Sequence, residues 1–273
     1  MAIRQVDLKA MLAFSTVSQL GLIMSLLGIG SMALDPDISK ELALLYSNAV
    51  LAAIFHLVNH SIFKGCLFMV IGILDHELGT RDIRKLGGLM SMMPISFTLT
   101  IIGSFSMAGL PPFSGFLSKE MFFTGVLTAY HSMEWWTVLL PILAWVASVF
   151  TFVYCMILVF KTFTGSSKEE MPDKPPHEAP IGMLISPMIL ASLVIVLFFV
   201  PNVLTDTILE PSMHSILPHV TAPGERFDVH IQAWHGWNIE LFMTIGIILV
   251  GSYLFYRLSW WTKVYDLLPG KLT

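Results

Sequence analysis

The sequence is poor in charge: Asp, Glu, Lys and Arg together make up 12% of its 273 residues. Soluble globular domains carry roughly 25%, and a mean hydropathy of +0.74 places the chain outside that class. Cysteine is scarce too. Cys66 and Cys155 both stand inside apolar runs and read as small buried hydrophobes rather than as a disulfide. No basic run points to nucleic acid, and a net charge of −4 is modest for a chain with nine histidines. The sequence has no GxGxxG, P-loop or nucleophile elbow, so soluble-type catalysis has no motif to rest on. No secretory leader is expected from the first residues, where Arg4 is followed by Asp7 and Lys9, not by a short apolar core and a small-residue cleavage site.

What the chain does have is apolar residues, 55% of the total, in runs long enough to cross a bilayer. The expected fold class is all-α, a polytopic transmembrane helix bundle of about six or seven spans. Residues 8–34 form the first run, with Asp7 as its expected N-cap and Ser15, Thr16, Ser18 and Gln19 making its first half unusually polar. Asp35, Pro36 and Asp37 end it, and Ser39 opens a second helix reaching about Leu78. A third run covers 92–110, and further runs cover 135–163, 181–204 and 239–258. Trp135, Trp136 and Lys161 suit interfacial anchoring of one span, and Arg257, Trp260, Trp261 and Lys263 of another. Between the spans, residues 75–89 read as a polar turn, 165–180 as a charged, proline-rich loop with no packing potential, and 205–237 as amphipathic or irregular. His76–Glu77 resembles half a metal site without its second half. His214, His219, His230 and His235 match no trusted ligand spacing. Lysine and arginine fall on both sides of the alternating spans, so orientation is undecided.

Residues 51–74, LAAIFHLVNHSIFKGCLFMVIGIL, are the stretch the rest is organised around. It carries His56, His60 and Lys64 at four-residue spacing, which keeps them within about 80° of one another on a helix. They form a ladder roughly 12 Å tall. A cation and two imidazoles at mid-membrane cost a few kcal/mol each even on lenient scales, so they need water, a partner or a task. One such residue near a helix end is most simply a snorkelling or carbonyl-bonded side chain. Three on one stripe favour a proton or ion path. Lys9, just inside the first run, is either a snorkelling lysine or a member of that path.

The second informative stretch is GLPPFSG, residues 109–115, which interrupts apolar density between 106 and 130. Pro111 and Pro112 remove two backbone donors and push the preceding residue out of helical geometry. Gly109 and Gly115 flank them, and Ser118, Lys119 and Glu120 follow. Two readings stay open. One is a broken membrane helix lining a site, which is tolerated where the freed backbone faces protein or a cavity. The other is an ordinary turn, with Ser118 capping a new helix and Glu120 favoured in its first turn. Adjacent Lys119 and Glu120 point about 100° apart and need not pair.

Three segments in order, DLKAMLAFSTVSQLG, AIFHLVNHSIFKGCLF and GLPPFSGFLSKEMF, resemble the proton-conducting membrane family. That family is shared by antiporter-like subunits of respiratory NADH:quinone oxidoreductase and large subunits of Mrp-type Na+/H+ antiporters. DHELGTRDIRKLGGL and AWHGWNIELF look more like the A subunit of the antiporter than like the respiratory subunits. The resemblance implies an ion-transporter subunit rather than an enzyme, in a bacterial cell membrane, with other hydrophobic antiporter subunits, H+ and a monovalent cation such as Na+ as its partners and with no cofactor. It also implies that residues 5–165 are the second of two five-helix units, followed by the loop 166–180 and two further spans within 181–273. The first unit and a long C-terminal extension are absent from the sequence, as in a C-terminal-half fragment. Within this frame Lys64 is the central proton-carrying lysine, with His60 and His56 beside it. Lys119 is the broken-helix lysine, adjoined by Glu120, and Lys9 is a peripheral member. A lysine whose proton affinity is tuned by burial and neighbouring charge can load and release a proton, and histidine can relay it. Other readings stay open: a proton-pumping respiratory subunit, a non-transporting scaffold fragment, and a redox or metal protein using His56 and His60 as ligands.

Overall fold

The computed structural model describes residues 1–132, 135–165, 174–220, 227, 229–232 and 236–258, and their regular structure is helical apart from one isolated bridge between Asp7 and Asp82. Helix α1 (Leu8–Gly30) begins where expected, with Asp7 Oδ1 accepting from the backbone N–H groups of Lys9 (2.7 Å) and Ala10 (3.0 Å). Two of the helix's four orphan donors are thereby satisfied. Helix α2 (Lys40–Leu78) is capped by Ser39 and stops at Gly79, whose φ of 72° is the left-handed conformation that glycine adopts without a Cβ penalty. Its 39 residues make a rod of about 58 Å, nearly twice the thickness of a bilayer core.

The remaining long elements are α3 (Pro94–Ala108), α4 (Ser114–Ser132), α5 (Leu139–Met156, extended by a π turn over Ile157–Lys161), α6 (Ile181–Phe199), the short α7 (Glu210–Ile216) and α8 (Ile239–Tyr256). Helix α2 is the hub, with α1, α3, α4 and α6 packed around it. Its apolar residues show no single face, because the stripe left uncovered by these helices, through Leu57 and Met69, is itself apolar. Helix α1 runs antiparallel to it where they touch. Leu12 and Ser15 of α1 meet Lys64, and Gln19 meets His56. On α3, Gly103 lies so close that a Cβ there would stand 2.8 Å from Leu67 Cγ. Helix α8 lies along α5, tied by Trp145 Nε1 donating to the Met243 carbonyl at 3.0 Å.

Among the described residues five helical stretches are long and apolar enough to cross a membrane: 8–34, 40–78, 139–161, 181–199 and 239–256. The chain is an integral, multi-pass membrane protein with a broken helix between α3 and α4. The expected six or seven spans are not reached on this measure, because α3 has only 15 residues and α4 is diluted by polar side chains. The expected run 135–163 is split into a short 3-10 turn (Trp135–Val138) and α5. The side chains of Trp135 and Trp136, and His235, Trp260, Trp261 and Lys263 as a whole, lie outside the described residues.

One expectation is corrected. Residues 174–180 of the proline-rich loop do pack. Helix α3 opens on Pro94 with no side-chain cap from Met93, which leaves orphan N–H groups at the positive end of a helix dipole. Glu178 fills the gap: Oε2 accepts from Ile95 N (2.7 Å) and Ser96 N (3.3 Å), and Oε1 from Ser96 Oγ (2.6 Å). Lys174 Nζ donates to the His76 carbonyl at 2.9 Å, and His177 Nε2 meets Glu77 Oε2 at 2.9 Å. Residues 205–216 are helical, through a π turn (Thr205–Leu209) into α7. Beyond them Asn202 pins Ile231 with a pair of hydrogen bonds, accepting from its N–H at 2.9 Å and donating to its carbonyl at 3.0 Å.

Candidate functional site

His56, His60 and Lys64 are 5%, 6% and 4% exposed, so the ladder faces the interior along its whole length. Its partners come from α1, whose polar first half was legible in the sequence but not its purpose. Lys64 Nζ donates to the Leu12 carbonyl at 3.1 Å and to the Ser15 hydroxyl. His56 sits between two helices: Nε2 is 3.0 Å from Gln19 Oε1 on α1, and Nδ1 is 3.0 Å from Ser118 Oγ on α4. His60 packs edge-on against Phe63 with ring centroids 5.5 Å apart, and its buried Nε2 has no hydrogen-bond partner among the described residues. Lys9 stands apart, exposed in the first turn of α1.

The break is tightly stitched. Gly109, at φ +78°, ends α3 in a Schellman arrangement, with Leu110 N–H bonding the Phe105 carbonyl at 3.0 Å and Gly109 N–H the Ser106 carbonyl at 2.9 Å. Pro111 and Pro112 form the exposed tip and are joined by a cis peptide bond. Helix α4 then starts at Ser114, not at Ser118. The expected cap at Ser118 is therefore replaced by Ser106 of α3, whose hydroxyl accepts from Gly115 N–H at 3.1 Å. Ser118 lies one turn inside α4, where its hydroxyl also reaches the Gly115 carbonyl at 3.1 Å. Lys119 folds back to the end of α3 and donates from Nζ to the Ala108 carbonyl at 3.1 Å. Glu120, 5% exposed, points elsewhere, accepting at Oε1 from Asn238 Nδ2 at 3.1 Å. Asn238 in turn caps α8 through Leu241 N–H at 2.9 Å. Lys119 and Glu120 thus serve different neighbours, as their helical spacing requires.

The structure brings Lys64, His60, His56 and Lys119 into one buried region and leaves Lys9 at the edge. It also adds residues that sequence reasoning passed over. Tyr154 and Thr151 of α5 both receive Gln19 Nε2, at 3.3 and 3.4 Å, and Cys155 beside them is fully buried. Nothing marked these three in an apolar run of α5, where tyrosine, threonine and cysteine are ordinary core residues. Among the described residues no carboxylate contacts either ammonium group. Their acceptors are backbone carbonyls and a hydroxyl, which a neutral amine can still donate to. The arrangement can therefore hold each lysine with or without its proton.

A hub helix carrying a buried lysine and two imidazoles, faced by a second lysine at a proline break, places four titratable side chains inside one membrane helix bundle. The chain belongs to the membrane family described as NADH:quinone oxidoreductase/Mrp antiporter, TM, whose model matches residues 1–151. Among its relatives, the A subunit of the Na(+)/H(+) antiporter of Alkalihalophilus pseudofirmus is 60% identical over 266 residues, covering 96% of this chain and 33% of the relative. The corresponding A subunit of Bacillus subtilis is 54% identical over 276 residues, covering 100% and 34%. This chain spans about a third of the length of the curated relatives it matches. In three dimensions it is similar to a chain of the Mrp complex from Dietzia sp., with a TM-score of 0.72 and 31% identity over 98% of this chain and 26% of that one. A membrane-bound archaeal sulfane sulfur reductase shares the fold, with a TM-score of 0.62 at 24% identity over 100% and 39%.

Proposed function

We propose that this chain is a membrane-embedded proton-translocating part of a cation/proton antiporter, working among other hydrophobic antiporter subunits to exchange H+ for a monovalent cation, Na+ above all. The observation that carries the reading is the pair of buried lysines, Lys64 and Lys119, each held among the described residues by neutral acceptors alone, with His60 and His56 between them and the break. Lys64 is the central carrier, Lys119 the carrier at the broken helix. Glu120 adjoins it, and Lys9 is a peripheral member at the membrane edge. Gly109, Pro111, Pro112 and Gly115 supply the break that lets a lysine of one half-helix reach the end of the other. In this reading α3 and α4 also cross the membrane, which brings the spans to about seven. Residues 5–165 form one five-helix antiporter-like unit, 166–180 a connecting loop, and 181–273 two further spans with a polar segment between them.

The test uses the complete multisubunit complex in membrane vesicles. Lys64→Met removes the carrier while keeping an apolar stem, and Na+/H+ exchange per assembled complex should fall by about a hundredfold or more, the scale of a lost proton-transfer group. Exchange at the wild-type rate in a complex that assembles normally would overturn the central role of Lys64.

A further inference from the structure

The hydrogen-bond network around His56 has a self-consistent placement of its hydrogens. Thr151 Oγ1 donates to the Ala147 carbonyl at 3.0 Å, and Tyr154 Oη donates to Thr151 Oγ1 at 3.3 Å. With both hydroxyl hydrogens placed this way, the Gln19 group facing them is its NH2, which donates to each. That turns the Gln19 carbonyl toward His56 Nε2, 3.0 Å away. A carbonyl only accepts, so in this placement Nε2 carries a hydrogen in both states of the ring. Nδ1 faces Ser118 Oγ at 3.0 Å, and that hydroxyl has one hydrogen and two possible acceptors, His56 Nδ1 and the Gly115 carbonyl. With His56 neutral, the Ser118 hydrogen goes to Nδ1. With His56 charged, Nδ1–H donates to Ser118 Oγ and the hydroxyl turns to Gly115.

We infer that His56 gains and loses its proton only at Nδ1, through the Ser118 hydroxyl, and that Gln19 is the positioning residue that closes off Nε2. His56 is then a one-sided charge store at the entrance of α4, not a link that a proton passes through. In the charging step Ser118 hands its hydrogen to Nδ1 while Oγ takes the incoming proton. The hydroxyl is neutral before and after, and the ring gains one positive charge. An amide oxygen is too weak a base to take the Nε2 proton onward. The charge so placed faces His60 on its own helix and Lys119 on α4, with Tyr154 behind Gln19 on α5. From α1 the described contact is the neutral Gln19. Charging His56 therefore acts on Lys119, one residue along from the switching hydroxyl. The inference rests on the proton-carrying reading above and assigns His56 a specific part in it.

The experiment measures Na+/H+ exchange against pH in vesicles containing the full complex, with assembly quantified for each variant. His56→Gln keeps a donor for Gln19 and an acceptor for Ser118. Exchange should fall by only about threefold, the scale of one imperfect hydrogen bond, and the profile should lose one limb. Ser118→Ala should lose the same limb and Ser118→Thr should restore it. Gln19→Glu places a proton-binding group against Nε2 and should displace the profile by about one pH unit or more. A loss in His56→Gln as deep as in Lys64→Met would make His56 a through link and overturn the inference. A wild-type profile in Gln19→Glu or in Ser118→Ala would overturn it as well. Failure of the wider functional reading looks different: there Lys64→Met exchanges normally, whereas here Lys64→Met stays inactive and only the His56, Gln19 and Ser118 results go against expectation.

Discussion

At the end of α2, Glu77 is clasped between two imidazoles, His76 Nδ1 at 3.0 Å and His177 Nε2 at 2.9 Å, and nearby Arg81 lies 3.3 Å from Asp7 and 3.7 Å from Asp75. Thirteen residues deeper on the same helix, about 20 Å away, Lys64 touches a carbonyl and a hydroxyl and no carboxylate among the described residues. The two regions solve opposite problems. The contacts at the end tie α2 to His177, and the turn after α2 to the start of α1. A cation held by neutral dipoles can lose its proton and keep its bonds. Charges at the end of the bundle hold elements together, and in the proposed function those in its middle are arranged to change.

The sharpest way to break that contrast is to exchange the outcomes. Lys64→Met should abolish exchange while leaving the yield of assembled complex close to wild type. Glu77→Ala should do the reverse, lowering the thermal stability of the complex while exchange per assembled complex stays within about twofold. Next in size is Gly115→Ala. A Cβ there would stand 1.9 Å from the Ser106 carbonyl oxygen, a backbone atom with nowhere to go, so α3 and α4 must separate. Overpacking of this kind costs about 1–3 kcal/mol or more, and the yield of folded complex should drop accordingly. A normal yield would mean the break is looser than its hydrogen bonds imply.

Glu77→Ala removes a nearly buried carboxylate from two imidazoles, worth about 1–3 kcal/mol, read as a lower unfolding temperature of the complex. Gly109→Ala is smaller in stability, about 1 kcal/mol for the left-handed conformation, yet more telling. Its Cβ would stand 2.4 Å from Lys119 Cδ, so the lysine must leave the Ala108 carbonyl. Exchange should fall by more than the stability change accounts for. A loss matching stability alone would remove Lys119 from the interior group.

Much of this was legible in the residues alone. The spacing of His56, His60 and Lys64 fixed a shared face, and Asp7 and Ser39 announced the helix starts through the N–H groups that helix ends leave open. The stapled loop was not legible. Glu178 and His177 looked like solvated charge in a proline-rich segment, because nothing local says that α3 lacks a cap or that Glu77 is buried. Those are facts about the other end of each contact. Ser118 misled for the same reason: a serine before Lys-Glu is a good local cap, but Ser106, eight residues before Ser114 in the chain, had already started the helix one turn earlier. Tyr154, Thr151 and Cys155 carried no signal, since side chains that pack equally well in an ordinary apolar helix reveal a polar role only when a partner such as Gln19 arrives from another element.

The smallest effect sharpens the surface side of the comparison. Arg84 hydrogen-bonds Asp82 through Nε at 3.0 Å and Nη2 at 2.6 Å, and this pairing, opposed by slight burial and helped by the Arg84 backbone N–H, holds the Asp82 carboxyl at about 2 instead of 3.8. A carboxyl depressed in the folded state stabilises the fold above its unfolded value and loses that contribution as pH falls through its folded value. The hook should therefore be at full strength above about pH 4 and gone near pH 2. Because both side chains reach solvent, screening keeps its worth small. The unfolding temperature of Arg84→Ala should lie slightly below wild type at neutral pH, and the gap should close between about pH 4 and pH 2. A gap that persists unchanged at pH 2 would mean that Arg84 holds the turn through its packing rather than its charge, and that the edge of the bundle is not built on ion pairs there.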